Sequence, residues 1–167
     1  MKHRLLLLAA AALWSTGGAA IKLCSLSAWQ VAGGRSLIAG LVLLAFAPSA
    51  RRRPTRLSLA VAVAYLFTVV LFVLATKLTT SANAIFIQDT APLWVLLFSP
   101  WLLRERPTRG QLLSVPIFAL GLGLFFLDRL TPGQMTGNLV AVASGVTFGL
   151  SILGLRRLGD AGPAALV

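Results

Sequence analysis

The sequence predicts an all-α, polytopic membrane helix bundle of about six spans, and three observations lead there. The 167 residues are 57% hydrophobic and only 11% charged, with mean hydropathy +0.88. Soluble domains carry roughly 25% charged residues, so a water-facing surface for this chain is not available. Six apolar runs divide the chain: Leu5–Leu23, Ala28–Ala47, Leu57–Thr76, Ala82–Leu103, Gln111–Leu127 and Asn138–Leu155. Finally, the Lys and Arg residues stand in short clusters between those runs, as they do in membrane proteins. The linkers hold between four and ten residues, which describes one tightly packed bundle.

The first run follows Lys2-His3-Arg4. Its 19 apolar residues exceed the hydrophobic stretch of a signal peptide, and no small-x-small cleavage site precedes a soluble domain. A retained helix is the expectation. Helix ends and interiors are rich in small residues: Gly17-Gly18, Gly33-Gly34, Gly121 and Gly123, and Gly145-x-x-x-Gly149. Lipid tails are as apolar as Leu, so helices in a bilayer associate through close backbone approach. Gly145 with Gly149 is the strongest packing candidate.

With the N-terminus in the cytoplasm, eleven Lys and Arg residues fall inside: Lys2, Arg4, Arg51, Arg52, Arg53, Arg56, Arg104, Arg106, Arg109, Arg156 and Arg157. Three fall outside, Lys22, Lys77 and Arg129, while Arg35 lies within a helix. That asymmetry predicts an inner-membrane protein with its N-terminus inside. Lys22 and Lys77, near helix ends, are expected to snorkel outward.

The same composition excludes other classes. A formal charge of +11 would suggest nucleic acid only if the bases gathered on an aqueous face, which they do not. One cysteine, Cys24, allows no intrachain disulfide and no metal cluster, and one histidine, His3, gives metal or nucleophile chemistry nothing to work with. No metal, cofactor or catalytic residue is expected. A membrane-embedded enzyme would have only Asp89 and Cys24 to use, in different helices.

The fourth run organises the chain. Thr79, Thr80 and Ser81 supply caps for its first amides, and Arg104-Glu105-Arg106-Pro107 stops it. A single span is expected over Ala82–Leu103, with one charge in it, Asp89, about two turns from its start. An acid at that depth costs about 2.5–3.5 kcal/mol on the insertion scale, so it calls for a partner, a water-filled cavity or a proton.

A thin repeat relates LAAAALWSTGGAAIKL to AVASGVTFGLSILGLRR: Trp14 precedes Lys22 by eight residues, as Phe148 precedes Arg156. Five helices separate the two points, and an odd number forces the copies to face opposite ways, the plan of inverted-repeat transporters.

These residues resemble the EamA-type branch of the drug/metabolite transporter superfamily. The matching segments are ALWSTGGAAIKL, GGRSLIAGLVLL and SANAIFIQDTAPLWVLLFSPWLLRERPT, with GNLVAVASGVTFGLSILGLRRL resembling the start of a second repeat. The resemblance implies ten helices in two inverted five-helix halves around a central cavity for small organic metabolites. It divides this chain into a first repeat at 5–127 and the start of a second at 137–167. The expectation is therefore one half plus an opening helix, either truncated or paired with another chain that completes the pathway.

On a straight fourth helix, Asn83, Ile87, Thr90 and Trp94 share one stripe, Gln88 and Pro92 lie roughly opposite, and Asp89 falls between. Asn83, Gln88, Thr90 and Trp94 are candidate cavity residues or, equally, contacts to neighbouring helices. Asp89 has three readings: a proton carrier, a contact for a substrate amine, or half of a buried ion pair. Arg35 lies at similar depth in the second run and is the natural partner, the other reading being that it snorkels. Trp14 and Ser15 face either the cavity or the core. The reading is an integral membrane secondary transporter, or part of one, working by alternating access. A non-transporting assembly subunit is the alternative. The expected partners are the bilayer and a small metabolite.

Overall fold

A computed structural model of the chain describes residues 2–46, 53–126 and 134–160. Among these residues the fold is all α, as expected. The elements are α1 (Lys2–Leu23), α2 (Ala28–Phe46), α3 (Arg56–Leu78), α4 (Ser81–Gln88), α5 (Ala91–Leu102), α6 (Arg109–Phe126) and α7 (Met135–Asp160). Counting α4 and α5 as one traverse, five helices are long and apolar enough to cross a membrane, and α6 contributes a shorter apolar helix. Asp128 and Arg129, expected in an external loop, and Arg51 and Arg52 lie outside the described residues.

The expected fourth span is present over Ser81–Leu102, but its helix is interrupted inside it. α4 ends at Gln88, Asp89 and Thr90 take φ −67°, ψ 0° and φ −69°, ψ −5°, and α5 restarts at Ala91. Pro92 explains both halves of this. It lacks the amide that would bond the Gln88 carbonyl, and its fixed φ suits the first turn of the next helix. The turn between is held by short-range bonds, Thr90 N to Ile87 O at 3.1 Å and Leu93 N to Thr90 O at 2.8 Å. The expected cap is present: Thr80 Oγ1 accepts from the Asn83 amide at 3.1 Å.

α7 is the axis of the bundle. It packs along α3 and across both α4 and α5. Against α3 it runs antiparallel, with Gly137 at Leu78 and Thr79, Ser144 at Thr68, and Gly154 at Val61. Against the broken helix it runs parallel, with Gly145 at Ile87–Thr90 and Gly149 at Ala91–Val95. A Cβ at Gly145 would stand 3.0 Å from Thr90 Oγ1, and one at Gly149 2.8 Å from Trp94 Cβ. Only hydrogen fits there, so the two expected packing glycines do bring backbones together. By contrast Gly33, Gly34, Gly121 and Gly123 have open space around them among the described residues.

α1, α2 and α4 complete the other side, α1 against α3 and α4, α2 against α3. At the end of the bundle where α1 and α3 finish, two lysines exchange caps. Lys22 Nζ donates to the carbonyls of Thr76 (3.2 Å) and Thr79 (2.7 Å), and Lys77 Nζ donates to Cys24 O (2.9 Å). What the expectation of outward snorkelling left out is the partner: the last carbonyls of a helix are unpaired and carry negative dipole charge, and an ammonium within reach binds them. At the opposite end Arg156 pairs with Glu105 at 3.0 Å and Arg157 Nη1 donates to Leu102 O at 3.2 Å.

The packing yields a prediction. Gly149→Ala forces Trp94 and α5 away from α7 and is expected to destabilise the detergent-solubilised protein by about 1–3 kcal/mol, read by thermal unfolding. Gly121→Ala, in open space, is the control and leaves the melt unchanged or raises it slightly.

Candidate functional site

Besides the Arg156 and Arg157 contacts at its end, two polar clusters among the described residues join α7 to its neighbours. The first is a seam at mid-helix. Gln88 Nε2 donates to Ser144 Oγ at 2.9 Å, Ser144 Oγ donates to Thr68 O at 3.0 Å, and Thr68 Oγ1 lies 3.0 Å from Thr147 Oγ1. Three helices meet on short polar side chains. Each such bond is worth about 0.6 kcal/mol in a bilayer. Gln88, expected roughly opposite the cavity stripe, reaches α7 through its long amide side chain.

The second group lies at the Thr79 end and is largely buried. Thr79 and Asn83 are 1% and 0% exposed, and Asn138 is 6% exposed. Thr79 Oγ1 is 2.9 Å from Asn138 Oδ1 and 3.1 Å from Gln134 Oε1, yet it has one proton for the two acceptors. It accepts in turn from Asn83 Nδ2 at 3.4 Å. Asn83 Oδ1 and Asn138 Nδ2 are buried with no partner among the described residues. An unmade hydrogen bond in such a place costs about 1–3 kcal/mol, which makes this cluster the most polar-hungry point in the described bundle.

Below it, at the helix break, Thr90 Oγ1 donates to Ile87 O at 2.7 Å and receives Trp94 Nε1 at 3.1 Å. Thr90, Trp94 and Asn138 lie on the wall of a cavity of about 830 Å³ between α5, α6 and α7. The remaining wall is apolar, chiefly leucines such as Leu93, Leu97 and Leu139, and no charged side chain lines it among the described residues. α6 makes only sparse contact with the other helices, and that stand-off opens the space. The volume falls within the ~300–1,000 Å³ usual for small-molecule sites.

The expected residues therefore separate. Asn83, Thr90 and Trp94 keep the shared inward stripe, and Gln88 joins them through α7. Asp89 does not. Its side chain is exposed on the outside of the bundle, as is Pro92, and no partner stands within reach among the described residues. Arg35 is exposed on α2, also without a partner there. The expected Arg35–Asp89 pair is absent: α2 docks on α3, while α4 docks on α1, α3 and α7. Matching depth sets the two charges at one height but on different sides. Ser15 turns back onto its own helix, bonding Ala12 O at 2.8 Å. The side chain of Trp14 lies outside the described residues.

Sequence reasoning missed Thr68, Thr79, Ser144 and Asn138. The available signal was the amide of Asn138, an uncommon group at the start of an apolar run, standing in the same chain as the amide of Asn83. Which helices would bring the two together was not readable.

The separation predicts a double-mutant cycle. Arg35→Leu and Asp89→Leu should change stability additively, within about 0.3–0.5 kcal/mol, by thermal unfolding in detergent. A larger interaction energy would put the two charges in contact.

The model of the EamA-like transporter family matches residues 1–127 of the chain. No curated protein and no solved structure matches it. The matched stretch contains α1 to α6, hence the broken helix and its stripe. The chain is a membrane protein of several apolar helices, and it belongs to the EamA-like transporter family.

Proposed function

We propose that this chain moves a small organic metabolite across the cytoplasmic membrane by alternating access, with its N-terminus inside. The observation that carries the reading is the interrupted α4–α5 traverse. Discontinuous helices near the midplane are where secondary transporters bind their substrates, because a break exposes backbone polar groups to a cavity. Here the break carries Thr90 and Trp94 to the wall of a cavity. In this reading 5–127 forms one repeat, 137–167 opens a second of inverted topology, and α7 is the element through which the second moves against the first.

Asp89 is the proposed coupling residue. It sits in the turn between α4 and α5, so a change in the angle between them moves it directly. An intramembrane acid faces protein or water, not lipid, so its exposed face is covered in the working transporter by a second half or a second chain. Proton binding and release there, alternating with substrate, would drive accumulation.

Asp89→Asn keeps the size and hydrogen-bonding capacity but cannot release a proton. In proteoliposomes it is expected to abolish uphill uptake under an imposed pH difference while counterflow exchange persists. Accumulation by Asp89→Asn equal to that of the parent would remove the proton role.

A further inference from the structure

We propose that the cavity between α5, α6 and α7 binds an uncharged solute with an apolar body and a carboxamide-like end, and that Asn138 is the group that takes that end. The absence of charge on the described wall is the first argument. An ion transferred into a leucine-lined space with no counter-charge loses its hydration and gains nothing in return, whereas a neutral solute keeps the gain of burying its apolar part.

Asn138 supplies the second. It lies on the cavity wall at 6% exposure, and its Nδ2 has no partner among the described residues. Among the described residues its Oδ1 is held only by Thr79 Oγ1, at 2.9 Å. That hydroxyl has a second acceptor ready in Gln134 Oε1 at 3.1 Å. The Asn138 amide can therefore turn toward the cavity without leaving Thr79 unpaired. In the turned state both of its atoms need partners, one acceptor and one donor. A primary carboxamide presents that pair on one planar group, and its binding makes a hydrogen bond that the empty site leaves unmade. Thr90 Oγ1 and Trp94 Nε1 bond each other further along the same cavity wall, where α7 presents Gly145 and Gly149, so Trp94 reports on what enters.

The inference rests on the transport reading for its role in the cell, but binding is measurable without flux. The full chain, purified in detergent with Trp14, Trp29 and Trp101 replaced by Phe, keeps Trp94 as its one tryptophan. Its emission is titrated with hexanamide, hexanoate and hexylammonium. The expected result is a saturable response to hexanamide, with both ions at least about tenfold weaker. In the same background Asn138→Leu weakens hexanamide binding about tenfold. Its melting temperature should be no lower than the parent's, since it removes an unpaired buried amide. Leu97→Phe, which narrows the cavity without touching the amides, also weakens binding. Equal responses to all three probes, no response to hexanamide, or unchanged affinity in a folded Asn138→Leu protein would each overturn the proposal. Hexanamide binding in a protein that gives no flux of any solute in liposomes would support it and count against the transport reading alone.

Discussion

The contact between α7 and the α3, α4 and α5 surfaces is the constraint on which the described bundle depends. In lipid, burying leucine against leucine contributes no driving force that lipid tails would not also supply. Association comes instead from atoms brought closer than side chains usually allow and from hydrogen bonds that cross between helices. Both are concentrated on the two adjoining sides of α7 that meet α3 and the α4–α5 traverse. Gly137, Gly145, Gly149 and Gly154 admit the backbones and side chains of three other elements, and Ser144 with Thr147 ties α7 to Thr68 and Gln88. The core is correspondingly built of small residues, with Ala75, Ala84 and Ala141 at 0% exposure.

That contact also fixes the chemistry. α7 is held at the point where the fourth traverse breaks, so the Thr90 half of the irregular turn is buried against protein. Irregular backbone at membrane depth is tolerated only under such cover. The same placement carries Asn138 to Thr79 and to the cavity wall. Asp89, on the opposite side of the break, is left to the outer face, in the one segment whose geometry changes if α4 and α5 move relative to each other.

Much of the architecture was legible from the residues because it follows from local rules. Run lengths and basic stops gave the helices, Thr80 gave a cap, and a small-xxx-small pattern gave the docking face of α7. The site was legible only in part. Asn83, Thr90 and Trp94 share a stripe that needs nothing beyond a helical period. Gln88 stands next to Ile87 on α4, and a helical wheel does not show that its long amide side chain reaches Ser144 on α7. Arg35 and Asp89 were paired by depth, and counting residues from a helix end gives height but not direction around the axis. Lys22 and Lys77 found carbonyls because α1 and α3 finish side by side, a fact about neighbours that no single helix carries. Asn138 and Thr79 meet through an antiparallel register across 59 residues of sequence, which only the folded chain displays.

The most direct test of the account is whether Thr68 and Thr147 face each other. Their hydroxyls lie 3.0 Å apart, so the double variant Thr68→Cys with Thr147→Cys, in a Cys24→Ser background, should form a disulfide under mild oxidation in native membranes. The account predicts a cross-linked peptide joining positions 68 and 147 by mass spectrometry, with the control pair Thr68→Cys and Gly154→Cys staying reduced. Efficient cross-linking of the control pair with none between 68 and 147 would place α7 in a different register and contradict it.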